Sequence, residues 1–347
     1  MITTLLHRDR NSIILWLTLC ALLVAMMVLI GGYTRLSGSG LSITSWKPIH
    51  GTIPPTNNIE WLQEFAAYQH SPQYQKVNKG MGLEEFKTIF WPEYIHRLLG
   101  RMIGIVFFIP LIVFALRRSF SARFGWRLFG IFALGGLQGL IGWLMVASGL
   151  VDTPQVSAIR LMLHLGVAFA ILGLIVWAGM DVVASGKWQV TSKEKENTFS
   201  LFLATGHLPL ATFTVWFITL CTQLLLGALM AGTHAGLIYN TWPDMNGQFL
   251  PESWDNLALI QFLHRNMAIL VTCGFVLWWY YNREYVKNIG LGKVCGSILA
   301  LITLQFTLGV LTLINAVPLP FAMMHQMTGL GLFVAAVLLL HRVISVL

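Results

Sequence analysis

The stretch that decides the fold is SIILWLTLCALLVAMMVLIGG, residues 12–32, an apolar run of about 21 residues without a charged side chain. A helix of about 20 apolar residues is long enough to cross the hydrocarbon core of a bilayer. The run follows Arg8 and Arg10, as a signal sequence would. It is nevertheless longer than the roughly 7–15 apolar residues of a signal sequence, which favours a retained transmembrane helix.

Seven further apolar windows follow, and together they predict eight transmembrane helices. The predicted spans are 12–32, 94–116, 127–148, 159–180, 206–231, 259–281, 294–314 and 321–340. Apolar residues make up 56% of the chain and charged residues 10%, with a mean hydropathy of +0.70. A soluble domain needs roughly a quarter charged residues to cover its surface. The sequence therefore predicts an all-α integral membrane protein and excludes a water-soluble one.

The net charge of +8 does not indicate a nucleic-acid-binding protein, because the basic residues sort by loop. The short loops 149–158, 232–258 and 315–320 contain neither Lys nor Arg, whereas the loops between them are basic. Since cytoplasmic loops carry the excess of Lys and Arg, both termini are expected in the cytoplasm. The long polar segment 33–92 then lies outside, with a surface helix over 59–69. The four cysteines fall in apolar runs and predict no disulfide.

The two halves of the chain repeat each other. Residues 93–97, EYIHR, match 261–265, QFLHR; residues 138–142, QGLIG, match 305–309, QFTLG; and residues 161–164, LMLH, match 322–325, AMMH. Gly40, Leu41 and Trp46 likewise match Gly236, Leu237 and Trp242. Because each half has an even number of spans, both halves share one orientation. The sequence predicts two parallel four-helix bundles, residues 1–184 and 185–347.

Four histidines lie in the even-numbered spans at a similar predicted depth. They are His96, His164, His264 and His325. A single histidine in a helix is more often a packing residue, but four repeat-related ones indicate ligands. Two imidazoles are too few for a closed zinc site, whereas they fill the two axial positions of a haem. Haem propionates need cations, and the candidates are Arg97, Arg160 and Arg265. The sequence thus predicts two bis-histidine haem sites.

The two predicted sites differ in charge. Glu93 lies one helical turn before His96, whereas the second half has Gln261 at the matching position. Phe321 likewise replaces Arg160 in the second half. A carboxylate next to a haem can accept a proton or stabilise a cation, which an amide cannot do. The alternative is a carboxylate placed only to favour the helix N-terminus. The difference predicts chemistry in the first half and electron transfer in the second.

The motifs of the first half identify a family. GGYTRL at 31–36, SGLS at 39–42, WKP at 46–48, NKGM at 78–81, EFK at 85–87 and FWPEYIHR at 90–97 resemble the haem A synthases of proteobacteria and mitochondria. The resemblance covers nearly the whole chain. It implies a multi-pass protein of the bacterial inner membrane that oxidises the C8 methyl group of haem O to a formyl group, by two hydroxylations through haem I. The cysteine pair that some bacterial members carry in the first outer loop is absent here.

The resemblance also implies roles for the candidate residues. His96 and His164 would flank the substrate haem, Glu93 would be the catalytic carboxylate, and His264 and His325 would ligate the iron of a haem b cofactor. The implied partners are haem O synthase, the assembly of cytochrome oxidase and an electron donor that the sequence does not identify. A homo-oligomer is left open.

Two other functions compete with this interpretation. A dihaem b-type electron carrier would also bind haem, but such proteins stack two histidines on one helix and have no organic substrate. A transporter with a proton relay would leave the matched depths and the Glu93/Gln261 difference unexplained. Five of the other histidines receive no predicted role; they are His50, His70, His207, His234 and His341.

Overall fold

The computed structural model describes residues 9–47, 50–185 and 208–346, and within these ranges the chain is helical without a β-strand. Its eight long helices are α1 (Arg10–Leu36), α2 (Leu83–Leu116), α3 (Ala122–Ser148), α4 (Ala158–Ala184), α5 (Leu208–Thr233), α6 (Asn256–Tyr281), α7 (Gly292–Ile314) and α8 (Leu319–Val346). Each of the eight is long and apolar enough to cross a membrane. The prediction of eight transmembrane helices is therefore confirmed.

The start of the second span is the main correction to the predicted boundaries. The sequence analysis assigned residues up to 92 to a polar segment, but α2 begins at Leu83 and continues through Pro92. A proline inside a helix costs about 3 kcal/mol. The early turns of α2 bury Phe86 and Phe90 against Trp61 and Tyr68, with ring centroids 4.9 Å apart for Trp61 and Phe90. This aromatic packing offsets the cost of the proline.

The polar segment between α1 and α2 contains the predicted surface helix. It spans Asn58–Gln69, and the Asn57 side chain caps it by accepting a hydrogen bond from the Glu60 amide. A short helix follows at Pro72–Lys76. The cysteines also agree with prediction, since all four thiols are free.

The helices of the two halves pack in the same pairwise pattern. In the first half α1 and α3 each contact both α2 and α4, and in the second half α5 and α7 each contact both α6 and α8. The halves meet where α4 contacts α5 and α8, and where α8 contacts α1. Exchanging α1–α4 with α5–α8 leaves this set of contacts unchanged. The division into two four-helix repeats, residues 1–184 and 185–347, stays a prediction.

Candidate functional site

The structure brings the four span histidines together in two pairs. His96 of α2 and His164 of α4 are close enough to interact electrostatically, as are His264 of α6 and His325 of α8. Each pair lies within one set of four helices. The resemblance to haem A synthases implies the same two pairs.

Each of these imidazoles packs against a glycine of the preceding long helix. A Cβ built on that glycine would come within 2.7–3.1 Å of a ring atom, a distance that real Cβ atoms rarely or never show. The pairs are Gly31 with His96, Gly142 with His164, Gly227 with His264 and Gly309 with His325. A larger residue would displace the ring or the helix. The four glycines therefore fix where the imidazoles lie.

Glutamine side chains anchor two of the histidines through their backbones. The Gln138 Nε2 donates to the His164 carbonyl at 2.9 Å, and the Gln223 Nε2 donates to the His264 carbonyl at 3.0 Å. Gln138 Nε2 also lies 3.5 Å from the ring nitrogen Nε2 of His164. Each glutamine precedes the glycine that contacts the same histidine by one helical turn, so both residues share a face.

His325 is held through its ring. Its Nδ1 lies 3.1 Å from the Gln305 carbonyl, and its Nε2 lies 3.3 Å from the Gln305 Nε2. A bond from Nδ1 to the carbonyl leaves Nε2 as the nitrogen that can bind a metal. In this structure the Gln305 amide contacts that nitrogen, so a haem iron bound there would replace the amide contact.

Buried polar atoms without a protein partner concentrate around the histidines. Among the described residues they include Nδ1 of His164 and His264, Oε1 of Gln138, Gln223, Gln261 and Gln305, and Nε of Arg265. Buried polar groups are normally hydrogen-bonded, so such a cluster fits a polar ligand. The described residues form no group of three or more His, Cys, Asp or Glu that would hold a metal ion alone. Two imidazoles per site fit a macrocycle that supplies the equatorial ligands.

Glu93 and Arg97 form a buried ion pair in the first half. The carboxylate is 3% exposed and accepts two bonds from the guanidinium, from Nε at 3.1 Å and from Nη2 at 2.6 Å. Its second oxygen accepts from the Ser42 hydroxyl at 2.7 Å and from the Ile43 amide at 2.9 Å. The carboxylate therefore joins α2 to the segment that follows α1.

Arg97 binds the same segment directly. Its guanidinium donates to the Ser45 carbonyl at 3.0 Å and to the Ile43 carbonyl at 2.8 Å. With the two bonds to Glu93, four of its five N–H donors are engaged within the protein. Arg97 thus has at most one donor left for a propionate. It also lies over the Trp143 ring, which stacks on Trp46 with centroids 5.4 Å apart.

Arg265 binds backbone carbonyls of the second half as Arg97 does in the first half, but it makes no hydrogen bond to a carboxylate comparable to that of Glu93. It donates to the carbonyls of Tyr239, Thr241 and Asp244 at 2.7–3.1 Å. Gln261 donates to the Tyr239 carbonyl at 2.9 Å, in place of the carboxylate of the first half. The arginine Nε is buried without a protein partner. This nitrogen is a donor suited to a propionate oxygen.

The loop that Arg265 binds also carries an ionised side chain. Hydrogen bonds from the Thr241 hydroxyl and the Gly247 amide, together with the Arg265 charge, lower the pKa of Asp244. Asp244 is therefore negatively charged at neutral pH. Its carboxylate stays exposed and does not occupy the buried Nε of Arg265.

Arg160 lies at the start of α4, one turn before His164. Its guanidinium is exposed and donates to the Leu144 carbonyl at 2.6 Å. Phe321, at the matching place in α8, is half-buried. The structure thus places Arg160 on the same helix as a candidate ligand, with most of its donors directed outside the protein.

The histidines without a predicted role have surroundings that differ from one residue to the next. His341 is buried and binds Asp181 at 2.8 Å, and Asp181 in turn pairs with Arg127. This group joins α3 and α4 to α8 at the end of the bundle that carries the C-terminus. His234 follows α5 in a left-handed backbone conformation, with φ of 57°. Burial and the nearby charge of Arg35 lower its pKa.

Three of these histidines remain. His70 forms the C-terminal cap of the helix Asn58–Gln69. His50 begins a short 3₁₀ turn, and His207 lies outside the described residues.

The sequence analysis missed the residues that hold the histidines in place. The matched motifs at 138–142 and 305–309 contain Gln138, Gly142, Gln305 and Gly309, so the repeat already marked them. Their role becomes visible only when the packing of α3 on α4 and of α7 on α8 is known.

Comparisons with known proteins agree over nearly the whole chain. A family model described as cytochrome oxidase assembly protein matches residues 14–337. The chain is 42% identical over 345 residues to a protein named heme A synthase from Nitrosospira multiformis, covering 96% of this chain and 94% of that protein. It is 43% identical over 340 residues to the protein of that name from Maricaulis maris, covering 93% of each. For the Caulobacter vibrioides protein of that name the identity is 40%, over 98% of this chain and 99% of the relative.

Proposed function

The chain belongs to the family of cytochrome oxidase assembly proteins that includes the haem A synthases, and we propose that it oxidises the C8 methyl group of haem O to the formyl group of haem A. The reaction proceeds by two hydroxylations. The first gives the alcohol of haem I, and the second gives a geminal diol that loses water.

One observation carries the proposal. Two facing histidine pairs lie in repeat-related helices, and only one pair has a carboxylate on the same helix one turn away. A transporter does not explain two such pairs of half-buried imidazoles. A protein that only transfers electrons does not explain why the first half has Glu93 where the second half has Gln261.

The substrate site lies in the first repeat, residues 1–184. His96 and His164 flank the macrocycle of haem O and hold it near Glu93. We assign to Glu93 the carboxylate function of the reaction: it accepts the proton released as oxygen adds to the methyl carbon, or stabilises positive charge there. The bonds from Ser42, Ile43 and Arg97 keep the carboxylate fixed in a dry environment. Fixed buried charges act more strongly than charges exposed to water.

The cofactor site lies in the second repeat, residues 185–347. Its ligands are His264 and His325, which bind the iron of haem b, a group that supplies one-electron transfer when bound. Arg265 directs its buried Nε to a propionate. In the substrate site Arg160 has that role, assisted by the last free donor of Arg97.

The protein lies in the bacterial inner membrane with both termini in the cytoplasm, so the histidine pairs lie in the outer leaflet. It receives haem O from haem O synthase and supplies haem A for the assembly of cytochrome oxidase. The proposed partners also include an electron donor and a second copy of the protein in a homo-oligomer.

Co-expression with haem O synthase tests the proposal. The expected result is haem b together with haem O, haem I or haem A in the purified protein, resolved by chromatography of the extracted haems. A control strain carries haem O synthase alone and should accumulate haem O only. A protein with haem b as its sole haem would instead be the b-type electron carrier, and a protein without a Soret band would be neither.

A further inference from the structure

Three of the four histidines are held by a glutamine. Gln138 and Gln223 donate to the backbone carbonyls of His164 and His264, and Gln305 contacts the ring of its histidine. In each case the glutamine lies four residues before the glycine that packs on the same imidazole. The three motifs are Gln138 with Gly142, Gln223 with Gly227, and Gln305 with Gly309.

His96 is the exception. The alignment that matches Gly40 with Gly236 also matches Gly31 with Gly227, and it places Met27 where the second half has Gln223. A thioether has no hydrogen-bond donor, so Met27 cannot hold a histidine as glutamine does.

The Met27 side chain packs on the turn of α2 that follows His96. Its terminal methyl lies 3.2 Å from the position of a Cβ on Gly100, one turn after His96 in α2. The backbone carbonyl of His96 points toward that turn, because a helical carbonyl accepts from the amide four residues later. Methionine and glutamine are close in length and shape. The substitution therefore removes a hydrogen bond and leaves the packing in place.

We propose that Gln223 is a positioning residue that keeps the His264 ligand of the cofactor haem fixed, and that Met27 makes His96 the releasable ligand of the substrate haem. This inference rests on the proposed function. A cofactor has to remain bound through many turnovers, whereas a substrate haem has to leave after each one. Partners behind a metal-binding histidine set its orientation and its affinity for the metal. The substrate site thus keeps one anchored ligand, His164, and one that can turn away.

A reciprocal swap tests the inference. Met27→Gln adds the amide to the substrate site, and Gln223→Met removes it from the cofactor site. The wild type and both variants are purified from cells that express haem O synthase. Each is then mixed with an excess of apomyoglobin, and the loss of each haem is followed by chromatography. Met27→Leu is the matched control, because it keeps an apolar side chain of similar size.

We expect Met27→Gln to slow the loss of haem O and haem A about ten-fold, and Gln223→Met to speed the loss of haem b about ten-fold. Low-temperature electron paramagnetic resonance should show a narrower low-spin signal in the first variant and a broader or partly high-spin haem b in the second. If Gln223→Met does not accumulate, Gln223→Leu removes the same hydrogen bond and supplies the measurement. Unchanged rates and spectra in both arms would overturn the inference.

A different result would show that the synthase activity itself is wrong. A wild-type protein that holds haem b but no haem O, haem I or haem A would contradict the synthase activity. The Gln223→Met arm would then still decide whether glutamine positions the haem b ligands. A wild-type protein that holds both haems, with a Met27→Gln variant that loses haem O at the wild-type rate, would contradict the role of Met27 alone.

Discussion

Replacing Glu93 with Gln separates catalysis from ligation. The carboxylate accepts four hydrogen bonds in the structure, two from Arg97, one from Ser42 and one from Ile43. An amide has one acceptor oxygen, so about half of these bonds are lost. With about 1.5–3 kcal/mol for a hydrogen bond to a charged group, the variant should lose about 3 kcal/mol of stability. Gln261 beside Arg265 indicates that the fold accommodates this pairing.

The expected loss of activity is much larger than the loss of stability. General acid–base catalysis contributes about 100-fold to 10,000-fold, so haem A formation per folded protein should fall at least about 100-fold. Haem b and bound haem O should remain, with haem O accumulating. Glu93→Asp shortens the side chain by one methylene and should retain only part of the activity.

The assay is chromatography of extracted haems, normalised to the haem b content of the purified protein. Ser42→Ala is the matched control: it removes one bond to the same carboxylate but keeps its charge, so it should retain turnover. A Glu93→Gln variant that makes haem A at the wild-type rate would refute the reasoning and leave the carboxylate a purely structural role.

Substitutions of the haem ligands, of Arg160 and of Asp181 give three further predictions. His264→Ala or His325→Ala should abolish the low-spin haem b spectrum, and a double variant with full haem b content would exclude both as ligands. Arg160→Ala should weaken retention of haem O more than of haem b, because Phe321 replaces this arginine in the second half; equal loss of both haems in extracts would count against it. Asp181→Asn should lower the free energy of unfolding by about 2 kcal/mol, seen as a lower melting temperature in detergent, without changing haem content.

Most of the fold was predictable because a transmembrane helix can be recognised from one local stretch of sequence. An uncharged apolar run of about 20 residues has few alternatives to a membrane span, and all eight runs became long helices. The exception is the start of α2, which the sequence analysis placed at residue 94 and which lies at Leu83. Only the packing of Phe86 and Phe90 on Trp61 explains why the helix passes through Pro92. That packing joins residues distant in sequence, and no local pattern contains it.

The sequence predicts the candidate haem ligands, but it does not predict the residues that hold them in place. The repeat marked the histidines and the Glu93/Gln261 difference, because duplicated positions can be compared within one chain. It did not show that Glu93 and Arg97 bind the segment at residues 42–45, since that contact depends on how the segment folds back over α2. The positions of Met27 and Gln223 were readable in the sequence. Their meaning required the structure.

Two independent differences between the repeats act in the same direction. In the first repeat Glu93 neutralises Arg97 and occupies most of its donors, whereas in the second repeat Arg265 faces the amide of Gln261 and keeps a buried Nε available. A buried cation without a carboxylate partner gains most from an anionic ligand such as a propionate. Charge therefore favours tight binding in the second repeat, where glutamine also fixes the histidine. The first repeat has a carboxylate and no glutamine at the corresponding positions, and under the proposed function this is the site that releases its haem after each turnover.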